Sequence, residues 1–185
     1  MTQLKAEITL AEYLALPDGD ITYELVNGEL KPKMAPKRFH SRVTGTISIL
    51  LTPWAQSCGE VGIEWAITLQ RQGRDWVPVP DLLYVSFSRL NSDVIEDDAC
   101  PIPPDLVIEI ISPGQSFGEM SAKATDYLDA GVMRVWVVDA KAKTVSVFYP
   151  DARPQTKTGE ESLADDLLLG LQLTPQQIFQ QAGIP

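Results

Sequence analysis

Within PPDLVIEIISPGQS, residues 103–116, one carboxylate, Glu109, interrupts a run of apolar side chains. Alternation along an extended chain puts Leu106, Ile108 and Ile110 on one face and Val107, Glu109 and Ile111 on the other, so both faces are apolar. That pattern is the mark of a central strand covered on both sides. An unpaired ionised Glu in such a place costs several kcal/mol, on the order of a small domain's whole stability margin. It must therefore meet a cation or be protonated. Asp81, at the start of LLYV, comes from a second extended segment that can neighbour the first. Two carboxylates held close in a partly dry site repel unless a hard divalent cation sits between them. Mg²⁺ suits that position, with Mn²⁺ as a substitute, because it takes few protein carboxylates and shares its other positions with water and phosphate oxygens.

A third charge comes from the segment after Ser112-Pro113-Gly114. SFGEMSAKATDYLDAG has an apolar helical face of Phe117, Met120, Ala124, Tyr127 and Leu128, and at about 100° per residue Lys123 projects from its flank towards Met120 and Tyr127. Its ammonium can lean towards the sheet, or its stem can lie along apolar surface with the head in water. Each acid likewise has a plainer role open to it: Asp81 as a turn or capping residue, and Glu109 as the partner of Arg134 or another base. Asp105 follows two prolines at a strand entry, where stabilising a turn suffices. His40, the only histidine, falls one turn before Val43 on the helical face of Ile47, so it points inward; a hydrogen-bonded structural role and a site role are both open.

The elements that must position these groups follow from local signals. Thr9 and Glu12 have capping-box spacing and open a short helix. ITYELV and ELK flank Asn27-Gly28, a two-residue hairpin signal. Val43, Ile47, Leu50, Leu51 and Trp54 recur at helical intervals, which predicts a long helix over about 38–57 with Pro53 bending its last turn. GIEWAITLQ alternates like one strand, RQGRD like a turn, and WVPVPDLLYV like an extended segment whose prolines suit an edge or bulge. NSDVIEDDACPIPP is a polar connection. VMRVWVVD and TVSVFYP are predicted strands, LLLGLQL is a candidate for another, and Thr174-Pro175 starts a last helix. Strands interspersed with helices give an α/β class with a mixed sheet flanked by helices. At 185 residues, 1–185 is expected to form one domain.

Composition narrows the function. With Asp plus Glu 25 against Lys plus Arg 15, the formal charge is −10, which repels polyanions unless basic residues cluster or bound metal offsets the acids. No apolar run reaches the roughly 20 residues a membrane span needs, and the N-terminus lacks a signal pattern, so a cytoplasmic location with no membrane partner is the expectation. Cys58 and Cys100 are isolated packing residues. Nothing matches GxGxxG, a P-loop, GxSxG or HExxH, and a single His cannot build a multi-histidine metal centre.

Asp81 of PVPD followed by Glu109 in DLVIEIISP resembles the PD-(D/E)xK phosphodiesterase superfamily. More narrowly, YELVNGEL, PDLLYV, PDLVIEIISP and KATDYLDAGVMRVWVVD, in that order from about Tyr23 to Asp139, resemble the Uma-type family of restriction endonucleases abundant in cyanobacteria. The resemblance implies a restriction-endonuclease-like fold and Mg²⁺-dependent hydrolysis of phosphodiester bonds in nucleic acid, DNA above all. Asp81 and Glu109 would be the metal ligands, Lys123 the third catalytic group, and Glu24 and His40 auxiliary contacts. One departure stands out, since the (D/E)xK position two after Glu109 is Ile111, and Lys123 on the following helix is the lysine that matches instead. A homodimer is expected because cutting both strands of a duplex calls for two sites. The competing reading is a catalytically inactive nuclease-derived module that binds nucleic acid or protein.

Overall fold

A computed structural model describes residues 7–17, 19, 21–90 and 97–185. Its elements run α1 (Leu10–Leu14), β1 (Tyr23–Val26), β2 (Glu29–Pro32), α2 (Arg38–Ala55), β3 (Gly59–Ile63), β4 (Leu69–Arg71) and β5 (Arg74–Val77). There follow β6 (Leu82–Ser86), β7 (Leu106–Ile110), α3 (Phe117–Asp129), β8 (Arg134–Asp139), β9 (Thr144–Phe148), β10 (Gln155–Thr158) and α4 (Pro175–Gln181). The strands form a six-stranded sheet ordered β10-β9-β8-β7-β6-β3 and a four-stranded sheet ordered β2-β1-β5-β4. Among these strands every pairing is antiparallel except β7 with β8, the pair that α3 joins, and outside them Ile67 and Cys100 form an isolated parallel bridge. The expected mixed sheet flanked by helices is present.

The local signals act as their chemistry requires. Thr9, Ser116 and Thr174 each close a capping box at the start of a helix. Asn27 and Gly28 both take positive φ, 53° and 76°, the backbone of the two-residue turn that keeps β1 and β2 twisted correctly. Gln72 and Gly73 repeat it between β4 and β5 at 52° and 75°.

Two predicted extended segments are each divided between the sheets. GIEWAITLQ is not one strand: β3 ends at Ile63, Glu64 turns the chain with φ 50°, and β4 resumes in the small sheet. WVPVPDLLYV makes the same passage, from β5 through Pro78-Val79-Pro80 to β6, where prolines without N–H groups excuse the chain from a ladder. LLLGLQL forms turns rather than a strand, because the Asp165 carboxylate accepts the Leu167 N–H at 2.8 Å and Gly170 takes φ 79°. Its leucines still fill core, with Leu168, Leu171 and Leu173 all buried. The polar strand β10 carries no apolar alternation, and its pairing with β9 includes a Ser146–Thr156 hydroxyl contact of 2.7 Å. Of the polar connection, residues 91–96 lie outside the described residues.

The large sheet is covered on both faces. One face packs Leu82, Tyr84, Ile108, Ile110, Trp136 and Val138 against α2 (Val43, Ile47, Leu51) and α4 (Ile178, Phe179). The other packs Leu83, Val85, Val107, Val135 and Val137 against α3 (Met120, Ala124, Tyr127) and the small sheet (Val26, Leu69, Trp76). At about 1.5–3 kcal/mol for each large apolar side chain fully buried, these contacts fix β6 and β7 as the rigid centre of the molecule. Asp81, just before β6, and Glu109, on β7, project from that centre.

Candidate active site

The register of β6 and β7 decides where the two acids go. Leu82 lies opposite Ile108 and Leu83 opposite Val107, and the register carried one residue past the start of β6 sets Asp81 opposite Glu109. Directly opposed residues share a face, here the one that looks at α3 and the small sheet. The step is anchored by the Ile110 N–H, which donates to Asp81 Oδ2 at 2.7 Å. On the other side Ile63 pairs with Leu82, and the Glu64 N–H donates to the Asp81 carbonyl at 3.3 Å. Three acidic residues thus sit on adjacent chains across β3, β6 and β7.

No metal is needed to tolerate them, which revises the electrostatic argument from sequence. Asp81, 2% exposed, is met on Oδ1 by Lys33 Nζ at 2.9 Å and on Oδ2 by His40 Nε2 at 2.9 Å. Lys33 also reaches Glu64 at 3.2 Å. Glu109, 6% exposed, accepts on Oε1 from the Tyr127 hydroxyl at 2.7 Å and lies 2.9 Å from Lys123 Nζ. Lys123 is equally close, 2.9 Å, to Glu24 Oε1, which also accepts the Val79 N–H at 3.0 Å. Buried charges are paired and hydrogen-bonded, as the cost of leaving them otherwise demands. Among the described residues, no three His, Cys, Asp or Glu side chains are gathered as a ready-made metal cage.

The two acids titrate in opposite directions. Burial works to raise the Asp81 carboxyl, but the His40 hydrogen bond and the Lys33 charge outweigh it, leaving its pKa below the usual value. For Glu109 burial wins, reinforced by the neighbouring Asp81 and Glu24 charges and opposed by Lys123, so its pKa is raised. Burial also opposes the two ammoniums, yet Asp81 at Lys33, and Glu109 with Glu24 at Lys123, hold both above the ordinary lysine range. Burial and then Glu109 lift the Tyr127 phenol well above its usual range, so it remains a donor. With Asp81 ionised, His40 Nε2 carries the proton of their hydrogen bond.

All five residues singled out from sequence therefore lie in two adjoining polar groups, Asp81 with His40 and Lys33 on the α2 side and Glu109 with Lys123, Glu24 and Tyr127 on the α3 side, which meet where the Ile110 N–H next to Glu109 donates to Asp81. Lys123 leans to the sheet rather than snorkelling to water. Glu109 is not paired with Arg134, whose Nε binds Asp165 at 2.6 Å. Asp105 holds a turn, accepting the Ser86 N–H at 2.7 Å and facing Arg89 at 3.3 Å. Sequence reading missed Lys33, Glu64 and the polar role of Tyr127. Only Tyr127 left a signal, being one helical turn beyond Lys123 on a face aimed at Glu109.

The arrangement offers hard oxygen donors beside fixed ammoniums, the combination that suits a phosphate diester. The family model described as "Uma2: Putative restriction endonuclease" matches residues 10–176. No curated protein matches the chain. Among solved structures, it is similar to the crystal structure of "a putative nuclease belonging to DUF820" from Anabaena variabilis ATCC 29413. The two are 24% identical, with 95% of this chain and 99% of that chain covered and a TM-score of 0.79. At that identity the likeness establishes a common fold.

Proposed function

The chain belongs to the Uma2 family of restriction endonuclease-like proteins, and on that premise we propose that it is a divalent-metal-dependent endonuclease acting on DNA, with Mg²⁺ the physiological ion and Mn²⁺ a substitute. The observation that carries this reading is the side-by-side placement of Asp81 and Glu109 on one sheet face, bracketed by Lys33 and Lys123.

The donor chemistry fits a hard cation. Tyr127 and Lys123 both use Oε1 of Glu109, and no donor among the described residues reaches its Oε2. That oxygen and Asp81 Oδ1, once released by Lys33, are the two ligands this chain would offer. When bound, such an ion neutralises phosphoryl charge and makes a coordinated water more acidic. The protein's own groups do the rest. The Ile110 N–H and His40 fix the orientation of Asp81, and Tyr127 does the same for Glu109. Lys123, held between Glu24 and Glu109, presents an ammonium that orients the attacking water or meets the charge developing on the phosphoryl oxygens.

Ile111 at the (D/E)xK position motivates the second reading, a binding module without turnover. The approach of Lys123 to Glu109 favours the enzyme, because a lysine of another element meets the carboxylate that the motif's lysine would accompany. Incubation with plasmid and Mn²⁺ separates them: cleavage by the wild type that disappears in Glu109→Ala supports the nuclease, and binding without cleavage supports the module. Asp81→Ala should in addition weaken Mg²⁺ and Mn²⁺ binding in calorimetry, and unchanged affinity would remove the proposed ligand. We further propose a cytoplasmic homodimer, which would present two sites to two strands. Among the described residues no helix is long and apolar enough to cross a membrane.

A further inference from the structure

Charge is distributed unevenly along this acidic chain. Residues 30–59 contain five Lys or Arg and no Asp or Glu, so the other 155 residues carry all 25 acids against 10 bases. Within that tract the six residues Met34–Phe39, a loop that runs into the first turn of α2, have an unusual attachment. Lys33, just before it, holds Oδ1 of Asp81, and His40, just after it, holds Oδ2. Both ends are thus tied to one carboxylate of the candidate site, and every residue between them is exposed.

Lys37 and Arg38 in this loop are spare cations. Among the described residues neither has an ion-pair partner, whereas Arg71, Arg74, Arg89 and Arg134 are each paired with an acid. Their position is also electrostatically unfavourable in the free protein. Lys37 is the N-cap of the 18-residue α2 with no side-chain cap bond, Arg38 is its first residue, and the first turn holds no acid. The helix dipole favours anions there and opposes cations. Arg42, one turn on, is differently employed, because its guanidinium lies against Gly183 in the turn after α4. Beside the two cations stand exposed apolar groups, Met34 at 63% and Phe39 at 45%. Cations along a backbone track with an aromatic at hand are the means by which proteins hold nucleic-acid strands.

We propose that the Met34–Phe39 loop is the strand-holding surface of this protein, with Lys37 and Arg38 binding phosphates next to the bond presented to Asp81 and Glu109, and Phe39 stacking a base. This rests on the nuclease reading and locates the substrate on it.

Binding of labelled duplex and single-stranded oligonucleotides, measured by anisotropy in EDTA across a salt series, tests the surface without requiring cleavage. Removing two phosphate contacts lowers the slope of log K against log salt by about 1.8 on duplex or about 1.4 on a single strand, and weakens duplex binding about 60-fold at ~0.1 M salt. Lys37→Ala/Arg38→Ala should show this. Its Tm should be unchanged or raised, since the charges removed oppose the helix dipole. Phe39→Ala should weaken single-strand binding about fivefold or more with no change of slope. The basic pair Arg153 and Lys157, on and just before the far edge strand β10, is the control, and Arg153→Ala/Lys157→Ala should leave the slope alone. The proposal is overturned if the Lys37/Arg38 variant keeps the wild-type slope, if the control pair lowers it equally, or if the wild type binds neither probe at low salt. Cleavage in Mn²⁺ is scored separately. A wild-type slope in the loop variant with cleavage intact refutes the surface alone; a reduced slope with a wild type that never cleaves refutes the nuclease reading alone.

Discussion

Replacing Lys123 by Met tests the electrostatic construction of the site independently of catalysis. Lys123 lies 2.9 Å from both Glu109 and Glu24, and the substitution keeps most of its apolar stem while deleting the charge. Leaving a buried partner uncompensated costs about 3–5 kcal/mol. The Lys123 side chain is 21% exposed, so water screens part of the interaction and the lower end, about 3 kcal/mol, is the expectation. For a domain of this size that lowers Tm by roughly 6–12 °C. The loss should depend on pH in a definite sense. Burial already raises the Glu109 pKa, and removing Lys123, which opposes that rise, lifts it further. A carboxyl whose folded pKa exceeds its unfolded value binds more protons when folded, so its penalty is complete above the folded pKa and vanishes below the unfolded one, about 4.3. The gap between variant and wild type should therefore narrow as pH falls towards about 4. Glu109→Gln, which leaves Lys123 its Glu24 partner, should cost about 1 kcal/mol or less. Thermal and urea melts across pH read all of this. A Lys123→Met protein as stable as wild type at neutral pH, or equally weakened at every pH, would refute the reasoning.

Lys33→Met should raise divalent-ion affinity about tenfold in calorimetry, about 1.4 kcal/mol, because Asp81 Oδ1 loses the ammonium with which an ion must compete; unchanged or weaker binding contradicts that competition. EDTA should leave Tm unaltered, since Lys33, His40 and Lys123 compensate the buried acids, and a chelator-induced drop would show that metal is part of the fold. Gly59→Ala would set its Cβ 2.3 Å from the Tyr84 ring and 2.5 Å from the Val85 carbonyl, a clash costing about 1–3 kcal/mol that a Tm equal to wild type would disprove. Ser116→Ala removes the hydroxyl that caps α3 and should cost about 1 kcal/mol in a urea melt. No loss there would mean that α3 is held by packing alone.

How much of this was legible in the sequence depended on range. Period-two alternation around Glu109 fixed its face, because neighbouring strands on both sides are apolar and a slip of one residue would expose the whole set. Lys123 and His40 followed from helical periodicity. Glu24 was named because it stands in YELVNGEL, but its partner Lys123 lies 99 residues away, and nothing in either segment specifies the pairing. Lys33 and Glu64 were invisible for the same reason. Lys33 follows a short exposed strand, and Glu64 sits where a seemingly continuous strand breaks. The second sheet escaped prediction because the alternation of GIEWAITLQ and WVPVPDLLYV persists through the turns that carry each segment from one sheet to the other. Periodicity reports which face is buried, not which sheet does the burying.

The buried acid that drew attention to this chain has two explanations of different standing. As a matter of stability, Glu109 needs only Lys123 and Tyr127, and the fold is electrostatically complete with them. A purely structural ion pair, however, would be cheaper as packed hydrophobes. This site instead gathers Asp81 and Glu109 from adjacent chains of the large sheet, Glu64 from the turn after β3 and Glu24 from β1 of the small sheet about two lysines and a histidine, with no donor among the described residues at the second Glu109 oxygen. On the proposed nuclease reading, two buried carboxylates with a partly exposed Glu24 and an exposed Glu64 beside them would suit a further cation. On that reading Lys33 has a use: with His40 it keeps Asp81 ionised and would yield Oδ1 to the ion, and its attachment beside the Met34–Phe39 segment would make ion entry and strand placement properties of the same short piece of chain.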